Sequence, residues 1–176
     1  MSATVGATNS SGVFEVTYTA PVYSGNKTIK AVVDNQNLLS KQVQVKVTIP
    51  GLVRMPAGAN YRQTGVVSGI HESNWNATTK TKGDLIEIAN QYAAEYPGKR
   101  LKFNDISLPM GGKFDGNSGR WTGGHSEHTR GRNCDISKSG MSAEERDRVR
   151  VIIIENGGAD GPGGIYDHST HWHTRH

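Results

Sequence analysis

Two histidine-bearing stretches limit the folds open to this chain more than any other feature of its sequence. The first runs Gly123-Gly124-His125-Ser126-Glu127-His128-Thr129-Arg130-Gly131-Arg132-Asn133-Cys134-Asp135-Ile136, and the second is the last nine residues. Together they hold six of the seven histidines: His125 and His128, then His168, His171, His173 and His176. Fully extended, the chain from His128 to Asp135 would span roughly 23 Å, too far for both side chains to reach one ion. A turn must fold it back, and Gly131 stands where that turn needs a permissive backbone. In the second stretch His171 and His173 are two apart, so on a strand they share one face while Trp172 points away. His168 is off that parity and is expected in the loop entering the strand. Only neighbouring strands of one antiparallel sheet bring the two stretches together. Two histidines and a carboxylate leave one position on zinc open for water, which marks a catalytic site, whereas structural sites close all four positions and lean on cysteine. One zinc ion is the expected cofactor. Trp172, Thr174 and Arg175 interrupt the terminal histidines, unlike an affinity tag.

The length of 176 residues suits one domain plus a small module, or two small domains. A hydrophobic content of 34% with 22 glycines predicts a loop-rich protein with a modest core, not a helical bundle. The longest apolar run, Val151-Ile152-Ile153-Ile154, is too short to cross a bilayer, so no membrane segment is expected. No export signal is read at the start of the chain. The single cysteine, Cys134, excludes an internal disulfide framework and reads as a half-buried strand residue. A formal charge of +4 favours anionic partners weakly, and the basic residues are dispersed, so nucleic acid is not indicated. A polyanionic surface such as a cell wall fits equally well.

Residues 1–50 read as β. Phe14, Val16 and Tyr18 alternate with polar residues up to Pro21, a second strand is expected from Thr28 to Val33, and Val43, Val45, Val47 and Ile49 alternate in a third. Pro50-Gly51 marks a boundary, giving an N-terminal module over 1–50 and a metal-bearing domain over 51–176. A helix is predicted from about Asp84, with Leu85, Ile88, Ala89, Tyr92 and Tyr96 on one face and Pro97-Gly98 as its stop. A strand is predicted over Leu101 to Ser107. Ser142 and Glu145 form a capping box ahead of a second helix over roughly 143–156, closed by Gly157-Gly158, with Arg146, Arg148 and Arg150 on a solvated face. The expected class is α+β: a small antiparallel sheet with flanking helices, preceded by an all-β fragment.

The pattern His128-x-x-Gly131-x-x-x-Asp135 followed by His171-x-His173 resembles the metallopeptidase superfamily of lysostaphin-type enzymes, D-alanyl-D-alanine peptidases and the hedgehog signalling domain. Within it, His125-x-x-His128, His168-x-x-His171-x-His173 and the approach segment from Phe103 to Asp115 are most similar to the penicillin-insensitive murein endopeptidases. The resemblance covers roughly residues 55–176. The D-alanyl-D-alanine dipeptidase branch carries a glutamate where Thr170 stands here, which argues against that branch. The segment from Gly12 to Pro21, with the strands after it, resembles the second half of a bacterial immunoglobulin-like domain, read as a spacer.

The resemblance implies that His128, Asp135 and His173 ligate one zinc ion, and that metal-activated water hydrolyses a peptide bond in peptidoglycan. His171 beside the metal would orient or deprotonate that water, or stabilise the oxyanion, with His168 as the competing base. His125 would line the cleft, touching either a metal ligand from outside or the substrate. His71 reaches the substrate or is an ordinary surface histidine, and Arg130 and Arg132 read a peptide carboxylate or are simply solvated. Glu127 is expected to point away from His128 on an extended backbone and is set aside as a base. Asn133 and Cys134 stand where the family usually has a small apolar and then an acidic residue. A monomer in the periplasm or at the cell surface is expected from the resemblance. The rival readings are a zinc-holding, non-catalytic binding module of the hedgehog type, and a zinc hydrolase of another peptide or of a phosphoester.

Overall fold

In the computed structural model, residues 5–33, 36–65, 73–113, 127–159 and 164–176 are described, with the backbone alone at 36–38. Strand β7 (Asn133–Ser137) has all five residues buried and lies at the centre of a five-stranded sheet. Its neighbours are β6 (Leu101–Phe103) on one side and β9 (His171–Arg175) on the other; β4 (Tyr61–Gln63) and β8 (Tyr166–Asp167) form the edges. Cys134 and Ile136 point to one face of β7, and Trp172 of β9 joins them in the apolar core. Asn133, Asp135 and Ser137 point to the opposite face, where His171 and His173 stand across from Ser137 and Asp135. The strand pairing required by the histidine spacing is therefore present.

The sheet is not wholly antiparallel. Strands β4 and β6 pair in parallel, Tyr61 opposite Leu101 and Gln63 opposite Phe103. A parallel pair needs a crossover longer than a hairpin, and the chain between them supplies one through β5 (Asn76–Thr78) and helix α1 (Thr79–Glu95). Strand β5 pairs separately with β3 (Leu52–Arg54). Strand β6 is also shorter than expected. After Phe103 the backbone keeps bonds to β7 (Asn104 N–H to Asp135 O at 2.8 Å, Asp135 N–H to Asp105 O at 3.0 Å) and then turns to Asn74, with Ser107 N–H to Asn74 O at 2.8 Å.

Helix α1 begins five residues before Asp84. Thr78, extended at the end of β5, accepts from the Thr81 N–H and satisfies a donor that the first turn leaves open. Asp84 instead pairs with Lys80 one turn earlier, at 2.7 Å. The predicted face is the observed one: Leu85, Ile88, Ala89 and Tyr92 are buried and Tyr96 packs against the core. Helix α2 (Ala143–Glu155) has the predicted capping box, both bonds being formed between Ser142 and Glu145. It buries Val149, Ile152 and Ile153 in the same core, while Arg148 holds Glu95 of α1 with bonds of 2.6 and 2.8 Å. No helix among the described residues is long and apolar enough to cross a membrane.

The N-terminal module differs from its expectation. Among its described residues only β1 (Gly25–Val33) and β2 (Gln36–Val47) form, as a two-stranded antiparallel ribbon. The alternation of Phe14, Val16 and Tyr18 gives no strand, and Phe14 and Val16 remain 44% and 57% exposed. An alternating segment needs a ladder partner and a surface to cover its apolar face, and the described residues offer it neither. The ribbon's flanks bond to the loop before residue 114: Ile49 N–H to Met110 O at 2.9 Å, and Lys113 N–H to Val22 O at 2.8 Å.

Candidate metal centre

The turn between His128 and Asp135 is a short 3-10 helix (His128–Arg130) closed by Gly131 in the left-handed conformation, φ 66° and ψ 25°. A side chain at Gly131 would be strained on φ alone, and its Cβ would fall 2.4 Å from Leu52 Cδ2 and 3.1 Å from Ala77 Cα. Both constraints call for glycine. The reversal places the His128 ring, wholly buried, over the face of β7 that carries Asp135.

His128, Asp135 and His173 converge. His128 Nε2 stands 3.4 Å from Asp135 Oδ1 and His173 Nδ1 stands 2.8 Å from the same oxygen. The two rings meet edge to face with centroids 4.8 Å apart. One potential ligand atom from each residue lies within 4.8 Å of the other two, and this buried group can hold a metal ion. Donors on a tetrahedral ion of zinc's size stand roughly 3.3–3.4 Å apart. The His128–Asp135 spacing already has that value, and the His173–Asp135 contact is shorter, at hydrogen-bond length.

The donor chemistry fits as well. His128 Nδ1 lies 2.9 Å from the Ile106 carbonyl, which can only accept, so Nδ1 carries the proton and Nε2 turns its lone pair toward a carboxylate. Two acceptors facing each other in a buried site call for a cation or a proton between them. Imidazole and carboxylate donors suit several divalent ions, zinc among them.

Burial alone would raise the Asp135 pKa, but the neighbouring His128 and His173 rings outweigh it and hold the carboxyl well below the usual range. Burial likewise works against a charged His173, yet Asp135 and then Glu127 raise its pKa. His171 is shifted the other way: burial, aided by neighbouring cationic groups, lowers its pKa against the pull of Asp135.

His171 shares the face as expected, with Nε2 at 3.7 Å from Asp135 Oδ2 and Nδ1 at 3.0 Å from Thr170 Oγ1. Its side chain is 25% exposed whereas that of His128 is not exposed at all, so the site opens toward solvent on the His171 side. His168 lies in the turn before β9, exposed, its ring stacked on His171 with centroids 4.5 Å apart. Arg130 is exposed and lines a cavity of about 420 Å³ with Val22, Ile49, Gly112, Lys113 and Thr129. His71 and His125 fall outside the described residues.

Three side chains at the site were given no part there by the sequence. Glu127 is the first, and its expected orientation is corrected. Its backbone is helical (φ −88°, ψ −17°), not extended, and it brings Oε2 to 3.1 Å from His173 Nε2. The second is Asn133, whose Nδ2 is 2.9 Å from the same ring nitrogen. The third is Lys138, buried under the β8–β9 turn. It pairs with Asp167, donates to the His168 carbonyl, and lies 5.0 Å from the Trp172 ring centre. A lysine three residues after Asp135 carries no spacing signal for such a role. His176 is turned away from the centre: its ring is fully covered, Nδ1 lies 3.3 Å from Asp84 Oδ2, and its backbone N–H bonds Arg132 O. No family model matches this chain, and no curated protein matches it.

Proposed function

We propose that the chain is a zinc-dependent peptidase hydrolysing a peptide bond of peptidoglycan, at the cell surface or in the periplasm. The observation that carries this reading is the β7–β9 register, which sets Asp135 opposite His173 beneath a fully buried His128. His128 Nε2, an Asp135 oxygen and His173 Nδ1 would hold the ion. Bound there, zinc supplies Lewis acidity and makes water a nucleophile near neutral pH.

The remaining chemistry belongs to the chain. With Nδ1 turned to Thr170 Oγ1, the Nε2 of His171 is placed on the solvent side of Asp135. There it takes the proton of the attacking water and returns it to the departing amine nitrogen, the two tasks of a general base and acid. His168 stacks behind that ring and limits its rotation. Lys138 fixes the turn that carries both histidines through its bonds to Asp167 and to the His168 carbonyl, and through its own N–H to Thr170 O at 2.9 Å.

The test is mass spectrometry of purified peptidoglycan fragments after incubation with the protein, with chelator and with zinc restored. Chelator-sensitive, zinc-restored cleavage is expected, and fragment masses identify the bond. Intact fragments after incubation with protein shown to hold zinc would favour the non-catalytic binding module instead.

A further inference from the structure

We infer that Glu127 is a positioning residue of the metal centre. Its carboxylate accepts the Nε2 proton of His173 and so holds that ring in the tautomer whose Nδ1 lone pair faces Asp135 and an ion. The inference rests on the metal-centre reading above and adds to it a residue outside the ligand set.

Each nitrogen of the His173 ring faces a different carboxylate: Nδ1 is 2.8 Å from Asp135 Oδ1, and Nε2 is 3.1 Å from Glu127 Oε2. A neutral imidazole carries one proton. On Nδ1, that proton closes a hydrogen bond to Asp135 and blocks the ligand position. On Nε2, it leaves Nδ1 bare. The neighbours of Nε2 pull in opposite directions. Asn133 Nδ2, at 2.9 Å, can only donate and favours the closed form; Glu127 Oε2 can only accept and favours the receptive one. Asn133 Nδ2 also lies 3.3 Å from Glu127 Oε2, so the amide can bond the carboxylate when the ring nitrogen is protonated.

Arg175 Nη2, 3.2 Å from the same oxygen, steadies the carboxylate from the far side. The arrangement repeats at His128, where the Ile106 carbonyl takes the Nδ1 proton and leaves Nε2 toward Asp135. Both histidines thus have an acceptor on the nitrogen away from the shared carboxylate. Outer partners of this kind orient a ligating ring and raise its basicity. Glu127 reaches the ring because the 3-10 turn begins there, and its side chain is 39% exposed, so changing it opens no core cavity.

The experiment measures zinc affinity of wild type and Glu127→Gln by competition with a chromophoric chelator, and reads the His173 tautomer in the metal-free wild type, with the ring neutral, by nitrogen-15 NMR. The expected results are affinity weakened about 10- to 100-fold in the variant, and a His173 proton on Nε2 in the metal-free wild type. Equal affinity in the two proteins, or a His173 proton on Nδ1 in the metal-free wild type, overturns the inference. The NMR arm needs only wild-type protein and decides the matter even where the variant folds poorly. A wild type that takes up no zinc defeats the metal-centre reading itself, a separate and recognisable outcome.

Discussion

At the residue scale, His171 is where the proposed holding of a metal and its proposed use separate. It shares the strand face with His173, but its Nε2 stands farther from Asp135 than either proposed ligand atom does, at 3.7 Å. Replacement by glutamine keeps a polar side chain of similar reach and removes the proposed proton-transfer group. His171→Gln is expected to retain zinc at one ion per chain while peptidoglycan cleavage falls by about 10²- to 10⁴-fold, the usual weight of a general base. Loss of zinc along with activity would make His171 a ligand and refute the assignment. Two kinds of information lie behind these residues. The positions of His128, Asp135, His171 and His173 were legible because strand parity and one glycine turn are strong local constraints. Glu127 was not legible, because its direction depends on whether one residue before the turn is extended or helical. The turn that follows it closes at Gly131 tightly against Leu52 and Ala77, residues far away in sequence.

At the scale of elements, the helices were easier to read than the strands. Helix α2 announces both ends, with a capping box at Ser142 and Glu145 and Gly157 at φ 84° just past its end. Ser142→Ala removes the acceptor of the Glu145 N–H, a 3.2 Å bond, and leaves the Glu145 carboxylate without its reciprocal geometry. A cap loss of this type costs about 0.5–2 kcal/mol. Urea unfolding of Ser142→Ala is expected to show a lower midpoint with an unchanged slope, since the surface exposed on unfolding stays the same. An unshifted midpoint would mean that the cap is carried by Glu145 alone. The strands were harder because β3, β4, β5 and β6 are three residues each, too short to display a period. Their pairing follows from how α1 crosses over them, which no local pattern records. The opposite failure occurs at Phe14 to Tyr18, where a clear period finds no ladder partner among the described residues and makes no strand.

At the scale of the whole molecule, the last residues link the five-stranded sheet to helix α1, and that link is sensitive to pH. His176 lies under α1 with its ring fully covered, facing Asp84 and, beyond it, Lys80, while Nε2 bonds Thr174 Oγ1 at 3.1 Å. Thr174 in turn donates to Cys134 O of β7 at 2.9 Å. Burial lowers the His176 pKa to about 4 against the partial pull of Asp84. The unfolded chain, with an ordinary histidine near 6.5, therefore binds more protons than the folded one between those two values. Stability must then rise with pH across that window. It is fully present above about pH 6.5 and declines as pH falls toward 4; the span corresponds to a loss on the order of 3 kcal/mol. His171, also lowered, adds to the same trend. His173, with its raised pKa, acts oppositely and at higher pH, where its contribution is lost as pH rises through the folded value. Asp135, held low, loses its contribution only below the ordinary carboxylate range. Glu95 and Glu145, held low by Arg148 and Lys99, add their own losses toward the bottom of the window between pH 4 and 6.5, and His176→Gln isolates the histidine's share because an amide does not titrate there. Melting temperatures of the metal-free protein taken every half unit are expected to fall from pH 6.5 to 4 in the wild type and much less in His176→Gln. Parallel curves for the two proteins would show that acid destabilisation originates elsewhere in the fold.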